Sequence, residues 1–345
     1  DYRAPPEVVE IAKEHAEFGN FGYGKPSPAL TELVIERMDR LNDWRIQPNW
    51  LVWLPGMVCG FNIAIRAIGN EGDEVLSNIP VYPPFLTAPG NFGQNFVGIP
   101  MALEGDRHTI DSDALETAVS PRSKTFLFCH PHNPVGTQFS RAELERFAEF
   151  CLSHELTACS DEIHCDLLLD EGTTHMPLAA ISSDIADKTI TLMAPSKTFN
   201  LPGFGCSFAI ISNPELRIRY KKACAGIVPD PPAMGFALAE AAYRHGEPWR
   251  QRLLHYLRAN RDLALSRLGA IPALFPFPVS ATYLLWIDAR ELGVENPQQF
   301  FEEAGVGLSD GADFGSPGFL RLNLGCTRAL LEQALDRMEQ AVGAR

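Results

Sequence analysis

The sequence predicts an α/β protein, with a mainly parallel central sheet sandwiched by helices and a second, smaller α+β domain after it. Two patterns carry that fold. From Pro55 to about Met234, short continuous apolar runs alternate with helix-like stretches, as expected of parallel strands buried on both faces and joined by helical crossovers. Beyond Gly235 the chain turns to long helices with two further strand-like runs. Size agrees, since 345 residues, 46% of them hydrophobic, suffice for one large core and a smaller one. The expected division is an N-terminal helix and arm over 1–24, part of the small domain or of a dimer contact, a large domain over 25–240 and a small domain over 241–345.

In chain order, Pro5-Pro6 opens a short amphipathic helix that runs to Phe18 and stops at Gly19. A glycine and proline loop follows, Phe21 to Pro28, with Tyr23 between two glycines. It lacks the spacing of a phosphate loop. A helix over about Ala29 to Asn42 leads to an apolar strand, Trp50 to Leu54. Further strand-like runs are Glu74 to Leu76, Thr125 to Cys129, Thr157 to Cys159, Thr189 to Met193 and Ser207 to Ile211. Ser140 with Glu143 reads as a capping box. Helices over about 235–245 and 248–268 precede the strand-like runs Thr282 to Ile287 and Phe319 to Leu324, and Thr327 caps a final helix with Leu331, Leu335 and Met338 on one face.

Composition narrows the function classes. A formal charge of -14 repels phosphate backbones and anionic headgroups, so neither nucleic acid nor membrane is expected as a partner. The eight cysteines lie mostly within apolar runs and form no CxxC pair, which reads as reduced, buried thiols. No long uncharged apolar stretch or signal peptide is visible. A cytoplasmic protein acting on a small molecule is expected.

Chemistry-bearing residues gather at the ends of the predicted strands, where ligands bind in parallel sheets. Lys197, just past the run Thr189 to Met193, can be desolvated into a neutral nucleophile that forms a Schiff base, or can simply mark the chain surfacing. Gly56 in Pro55-Gly56-Met57-Val58 joins a strand to a helix, either as an anion cradle or as a plain tight turn. Asp161 closes its strand, and a buried carboxylate there needs a partner such as a protonated ring nitrogen. A helix cap or turn is the other reading. Asn133 can donate to a phenolate oxygen. Cys129, His130 and His132 suggest a metal, yet no second ligand cluster completes a site, so none is expected. His175, before Met176-Pro177, reads as structural.

Four stretches, Asn-Pro-Val-Gly at 133–136, Ser-Asp-Glu-Ile-His at 160–164, Ser-Lys-Thr-Phe-Asn at 196–200 and Phe-Leu-Arg-Leu-Asn at 319–323, resemble in order and spacing the fold type I pyridoxal-phosphate enzymes. With Leu-Pro-Gly-Met-Val at 54–58 and Val-Tyr-Pro-Pro-Phe at 81–85, the chain is most similar to the cystathionine β-lyase or carbon-sulfur lyase branch of the class I/II aminotransferase-like family. The resemblance runs nearly the whole chain. It implies that Lys197 holds pyridoxal 5'-phosphate as a Schiff base, that Asp161 pairs with the pyridinium nitrogen, and that Asn133 bonds the phenolate oxygen. It further implies that Tyr82 lies against the ring and that Gly56, Met57 and Val58 hold the phosphate with Ser196. Arg321 would clamp the substrate carboxylate. His164 stands at a coenzyme-contacting position where many aminotransferases have tyrosine, and the lyase branch shares the histidine. Gly205 stands where aminotransferases often have arginine. Similar enzymes also begin upstream of Asp1. Tyr23 would cross a homodimer interface to an active site shared between subunits, or merely pack under the first helix.

The implied reaction is α,β-elimination of a cysteine S-conjugate to thiol, pyruvate and ammonia. An aminotransferase is the nearest alternative, and a non-catalytic effector-binding domain of the same fold the distant one.

Overall fold

The computed structural model describes residues 2–344. Thirteen strands occur among them: β1 (Leu51–Leu54), β2 (Glu74–Ile79), β3 (Asn95–Pro100), β4 (Ala102–Glu104), β5 (Arg107–Thr109), β6 (Ser123–Cys129), β7 (Thr157–Asp161), β8 (Thr189–Met193), β9 (Ser207–Ile210), β10 (Phe275–Pro276), β11 (Leu284–Asp288), β12 (Ser309–Asp310) and β13 (Phe319–Asn323). Seven form one sheet in the order β1-β9-β8-β7-β6-β2-β3. Only β9 runs against its neighbours in that sheet, so β1, β2, β3, β6, β7 and β8 bring their carboxyl ends to one edge.

Strand periodicity sorts the side chains between the two faces. In β6, Leu127 and Cys129 join the cluster of Phe61, Ile63 and Leu192, while Phe126 and Phe128 join that of Leu144, Phe147 and Leu178. Helices cover both faces. The helix Met57–Ile68 comes close because Gly60 has no side chain, and a Cβ there would sit 3.1 Å from Leu192. On the other face, Arg141–Ser153 has the capping box expected of Ser140 and Glu143, with the Glu143 carboxylate also paired to Arg107 at 2.8 Å.

The second sheet is antiparallel, in the order β10-β11-β13-β12. Leu285, Ile287, Leu320 and Leu322 turn to a core shared with the helices Glu247–Leu268 and Arg328–Gly343. By alternation, Trp286, Phe319, Arg321 and Asn323 point the other way, and Trp286 packs with Val135 and Phe314. The N-terminal helix Pro6–Phe18 ends at Gly19 with φ 70 and packs through Val8, Ile11 and Ala12 beside Phe236 and Leu238. Ahead of it, Tyr2 donates to the Cys326 carbonyl at 2.5 Å.

Differences from the sequence reading lie at edges. Strand β3 and the hairpin β4–β5 lie outside the strands expected from the sequence, since Gly98 and Pro100 break the apolar run of β3 and the hairpin strands are only three residues each. The run read as starting at Thr282 starts instead at Leu284. Thr282 has φ 73, and its hydroxyl accepts from the Leu284 N–H at 3.0 Å.

Candidate active site

Between the carboxyl edge of the large sheet and the face of the small sheet lies a cavity of about 430 Å³. Gly56, Met57, Val58, Tyr82, Asn133, Asp161, His164, Ser196, Lys197 and Arg321 all line it. Tyr23 does not, being fully exposed on the surface.

Fold geometry brings these residues together. Strand β1 leads through Pro55 to Gly56, β6 leads into the Asn133 loop, β7 ends on Asp161 and leads to His164, and β8 leads into the turn Ser196–Phe199. The Asn133 loop is also tied to the small domain, because the Gly136 carbonyl accepts from Ser280 and Ala281. Gly136 has φ +68, and a Cβ there would come within 2.7 Å of Val279, so glycine is required on both counts.

Asp161 is only 5% exposed. Its side chain accepts one hydrogen bond, from the Ile163 N–H at 3.2 Å. Burial lifts its carboxyl to about 7, with Glu162 pushing the same way against Ile163 and Lys197. Burial lowers the Lys197 amine from its usual range, Asp161 opposes this, and Arg321 adds to it. An acid prone to hold a proton thus faces an amine prone to lose one. His164 is kept neutral, lowered to about 3 by burial and by the cations Lys197 and Arg321. Its Nδ1 has no hydrogen-bond partner among the described residues, and its ring meets Tyr283 edge-on at 5.8 Å.

Arg321 spans the two domains. It donates to Asn133 Oδ1 at 2.9 Å and to Ser309 Oγ at 3.1 Å, and its guanidinium lies 4.6 Å from the Phe314 ring centre. No carboxylate pairs with it among the described residues, which leaves its charge available to a ligand acid. Asn133 spends its oxygen on Arg321 and keeps its amide N–H groups for an acceptor. Gly56, the residue before the helix Met57–Ile68, offers no capping side chain, and Gly60 is the first N–H to bond back, at 3.0 Å. The preceding N–H groups are therefore free to take an anion, aided by the helix's positive end.

Tyr283, Asn323, Cys206 and Ser207 also line the cavity and were not singled out in the sequence. Burial pushes the Tyr283 phenol up to about 12. An aromatic at the head of an aliphatic strand was the available signal. Cys129, His130 and His132 point apart: His130 Nε2 meets the Met176 carbonyl at 3.2 Å, His132 Nε2 the Pro80 carbonyl at 2.7 Å, and Cys129 Sγ accepts from Asn133 N at 3.4 Å.

Such a cavity suits a ligand with an anionic tail for the helix start, a basic ring nitrogen for Asp161, and an aldehyde for Lys197. Pyridoxal phosphate has all three, and the protein is a pyridoxal-phosphate enzyme. It belongs to the aminotransferase class I and II family, whose model matches residues 1–338. Among its relatives, cystathionine beta-lyase PatB of Bacillus subtilis is 34% identical, over 99% of this chain and 90% of its own. The crystal structure of OvoB superposes with a TM-score of 0.98 at 46% identity, covering 100% of this chain and 91% of that one. Cystalysin from Treponema denticola, solved with pyridoxal 5'-phosphate, has a TM-score of 0.95 at 31% identity over 99% of this chain and 89% of its own.

Proposed function

We propose that the protein is a carbon-sulfur β-lyase that converts a cysteine S-conjugate and water into a thiol, pyruvate and ammonia. The observation that carries this is the convergence of Lys197, Asp161, His164 and Arg321 on one cavity, in a chain 34% identical to a protein named cystathionine beta-lyase. In this reading Lys197 carries the coenzyme, Asp161 keeps its ring nitrogen protonated and Asn133 donates to its phenolate oxygen. Tyr82 lies against the ring, His164 sits beside it, and Ser196 with the N–H groups of Gly56, Met57 and Val58 takes the phosphate. Bound there, pyridoxal phosphate supplies an electron sink for the pair left at the substrate Cα when its proton departs.

The chain's own groups do the remaining work. Arg321 takes the substrate α-carboxylate and so fixes which Cα bond faces Lys197. Because burial favours its neutral form, the Lys197 amine is suited to accept the Cα proton. Loss of the β-thiolate then follows from the substrate's own leaving group. Small-domain contacts, from Trp286 on Val135 to Arg321 on Asn133, hold the small sheet against the Asn133 loop.

An exposed apolar face beside the cavity fits a second copy of the chain. Phe18, Phe21, Tyr23, Val58 and Phe204 are all exposed, and Val58 also lines the cavity. Gly24 abuts Ala233, and Gly235 in turn lies under the Phe204 carbonyl, so the Tyr23 loop adjoins this rim. We assign the face to a homodimer contact through which Tyr23 reaches the neighbouring site as a substrate contact. All eight cysteines are free and no described helix is long and apolar enough to cross a membrane, in keeping with a cytoplasmic enzyme.

Incubation of the holoenzyme with cystathionine and simpler S-alkyl cysteines tests the reaction. Pyruvate and free thiol in equal amounts are expected. Amino transfer to a keto acid without thiol release would make the protein an aminotransferase instead.

A further inference from the structure

Behind Asp161 lies a polar cluster whose members, Ser160, Glu162 and His175, are not among the residues lining the cavity. Glu162 is wholly buried, and three donors converge on its carboxylate: Ser160 Oγ at 2.8 Å, the Leu178 N–H at 3.1 Å and His175 Nε2 at 2.6 Å. His175 is itself 3% exposed. Its ring lies 4.6 Å from that of His130, tilted by 31°. His130 in turn ties the cluster to the site, because its backbone N–H donates to the Asp161 carbonyl at 2.9 Å.

Two adjacent buried carboxylates at one strand end need more than one counter-charge. Asp161 has the Lys197 amine beside it and, on the reading above, the coenzyme's ring nitrogen as its counter-charge. Arg37 and Arg250, on the far side of Cys165, are committed to Asp166 and Glu247. Tyr82 and Cys129, which also face Asp161, are held in their neutral forms by burial, and His130 is likewise kept neutral by burial, with His175 pushing the same way. That leaves His175 as the group able to balance Glu162. The 2.6 Å contact is as short as a charge-assisted hydrogen bond.

We propose that Glu162 and His175 form a buried ion pair that acts as a positioning unit, shielding Asp161 from its neighbour's charge and so setting the proton affinity of the coenzyme site. The inference rests on the assignment of Lys197 and Asp161 to the coenzyme. His175, read from the sequence as merely structural, gains an electrostatic role.

The two ends of the pair have opposite charge, which makes the role separable from simple support of the loop. The holoenzyme's visible absorbance band is titrated with pH in wild type, Glu162→Gln, His175→Gln and the double variant. Glutamine at either position retains a hydrogen-bonding amide. Losing the carboxylate should lower the midpoint by about one pH unit, losing the imidazolium should raise it by about one, and the double variant should return near wild type. Shifts in the same direction, or no shift in either single variant, would overturn the proposal. If Glu162→Gln fails to fold, the upward shift in His175→Gln alone decides. Borohydride reduction followed by peptide mapping checks the underlying assignment separately: label on a residue other than Lys197 would refute that assignment, whatever the titrations show.

Discussion

Asp161 and Asp166 stand five positions apart in one buried segment and meet opposite surroundings. Both oxygens of Asp166 accept from Arg37 Nη2 at 2.9 Å, and Thr198 Oγ1 adds a contact at 3.4 Å. Arg37 is itself sandwiched, 4.7 Å from the Tyr243 ring centre and 3.6 Å from Glu247. Asp161 has one backbone N–H and a nearby amine that burial drives toward neutrality. The contrast separates structure from function. A buried charge whose partners are all supplied by the chain holds the fold, whereas one left short of partners marks the place where a ligand completes the set.

The turn carrying Lys197 depends on both. Lys197→Ala should cut turnover by about 10³-fold or more, because the proton-moving amine is gone, with thermal unfolding of the coenzyme-free protein little changed. A variant that kept a tenth of wild-type activity would end the claim that this amine is the reaction centre.

Exchanging each acid for its amide sharpens the comparison. Asp166→Asn takes from buried Arg37 the nearer of its two anions, leaving Glu247 at 3.6 Å, and should destabilise the protein by about 2–3 kcal/mol, read by urea unfolding. Asp161→Asn keeps an acceptor for the Ile163 N–H and removes an ill-matched charge, so the coenzyme-free protein should lose no stability at pH 8. Its turnover should nevertheless fall about 10²-fold or more, since a preorganised charge at the reacting ring is lost. Equal destabilisation by the two substitutions would erase the distinction drawn between them.

Titration provides a subtler version. Asp161 has a folded value of about 7, above its unfolded one of 3.8, so its contribution is present at low pH and is lost as pH rises through about 7. His108 and His132 are lowered to about 4 by burial, and His130 and His164 are lowered too. Their contribution is present above about 6.5 and is lost as pH falls through the folded values. The histidines outnumber the aspartate, so stability of the coenzyme-free protein should climb between pH 4 and 6.5. Asp161→Asn removes the opposing group and should steepen that climb by about 1.4 kcal/mol per pH unit. Urea midpoints at several pH values measure both slopes, and a shallower slope in the variant would contradict the raised value.

How far the sequence reveals this site follows from the same physics. Lys197, Asp161, Asn133 and Gly56 were legible because each follows an apolar strand in a parallel sheet, and strand ends converge without any knowledge of packing. Tyr283 and Asn323 were not, since they reach the cavity only through the docking of the small sheet. The bond from Arg321 to Asn133 joins residues 188 positions apart, and no local pattern encodes it. Even the alternation that points Arg321 away from its own core could not say what it would point toward. The edge strand β3 and the hairpin β4–β5 escaped for a different reason, because Gly98 and Pro100 interrupt the apolar residues of β3 and the hairpin strands are three residues each with polar Glu104, Arg107 and Thr109.

Two helix starts repeat the lesson at smaller scale. Arg141–Ser153 is closed by its own side chains, the Ser140 N–H reaching Glu143 at 2.8 Å, while Met57–Ile68 is left open beneath Gly56. Gly56 has φ 176, an extended conformation open to any residue, and a Cβ there would meet nothing within 4 Å. Glycine is thus not demanded by the backbone. Its bareness matters to what approaches the free N–H groups, so Gly56→Ala should leave the melting temperature of the coenzyme-free protein unchanged yet weaken pyridoxal-phosphate binding about tenfold, or about 1.4 kcal/mol, as a methyl group crowds the phosphate. Fluorescence titration with the coenzyme reads the affinity. Loss of folding stability with unaltered affinity would mean that the residue serves the turn and not the ligand.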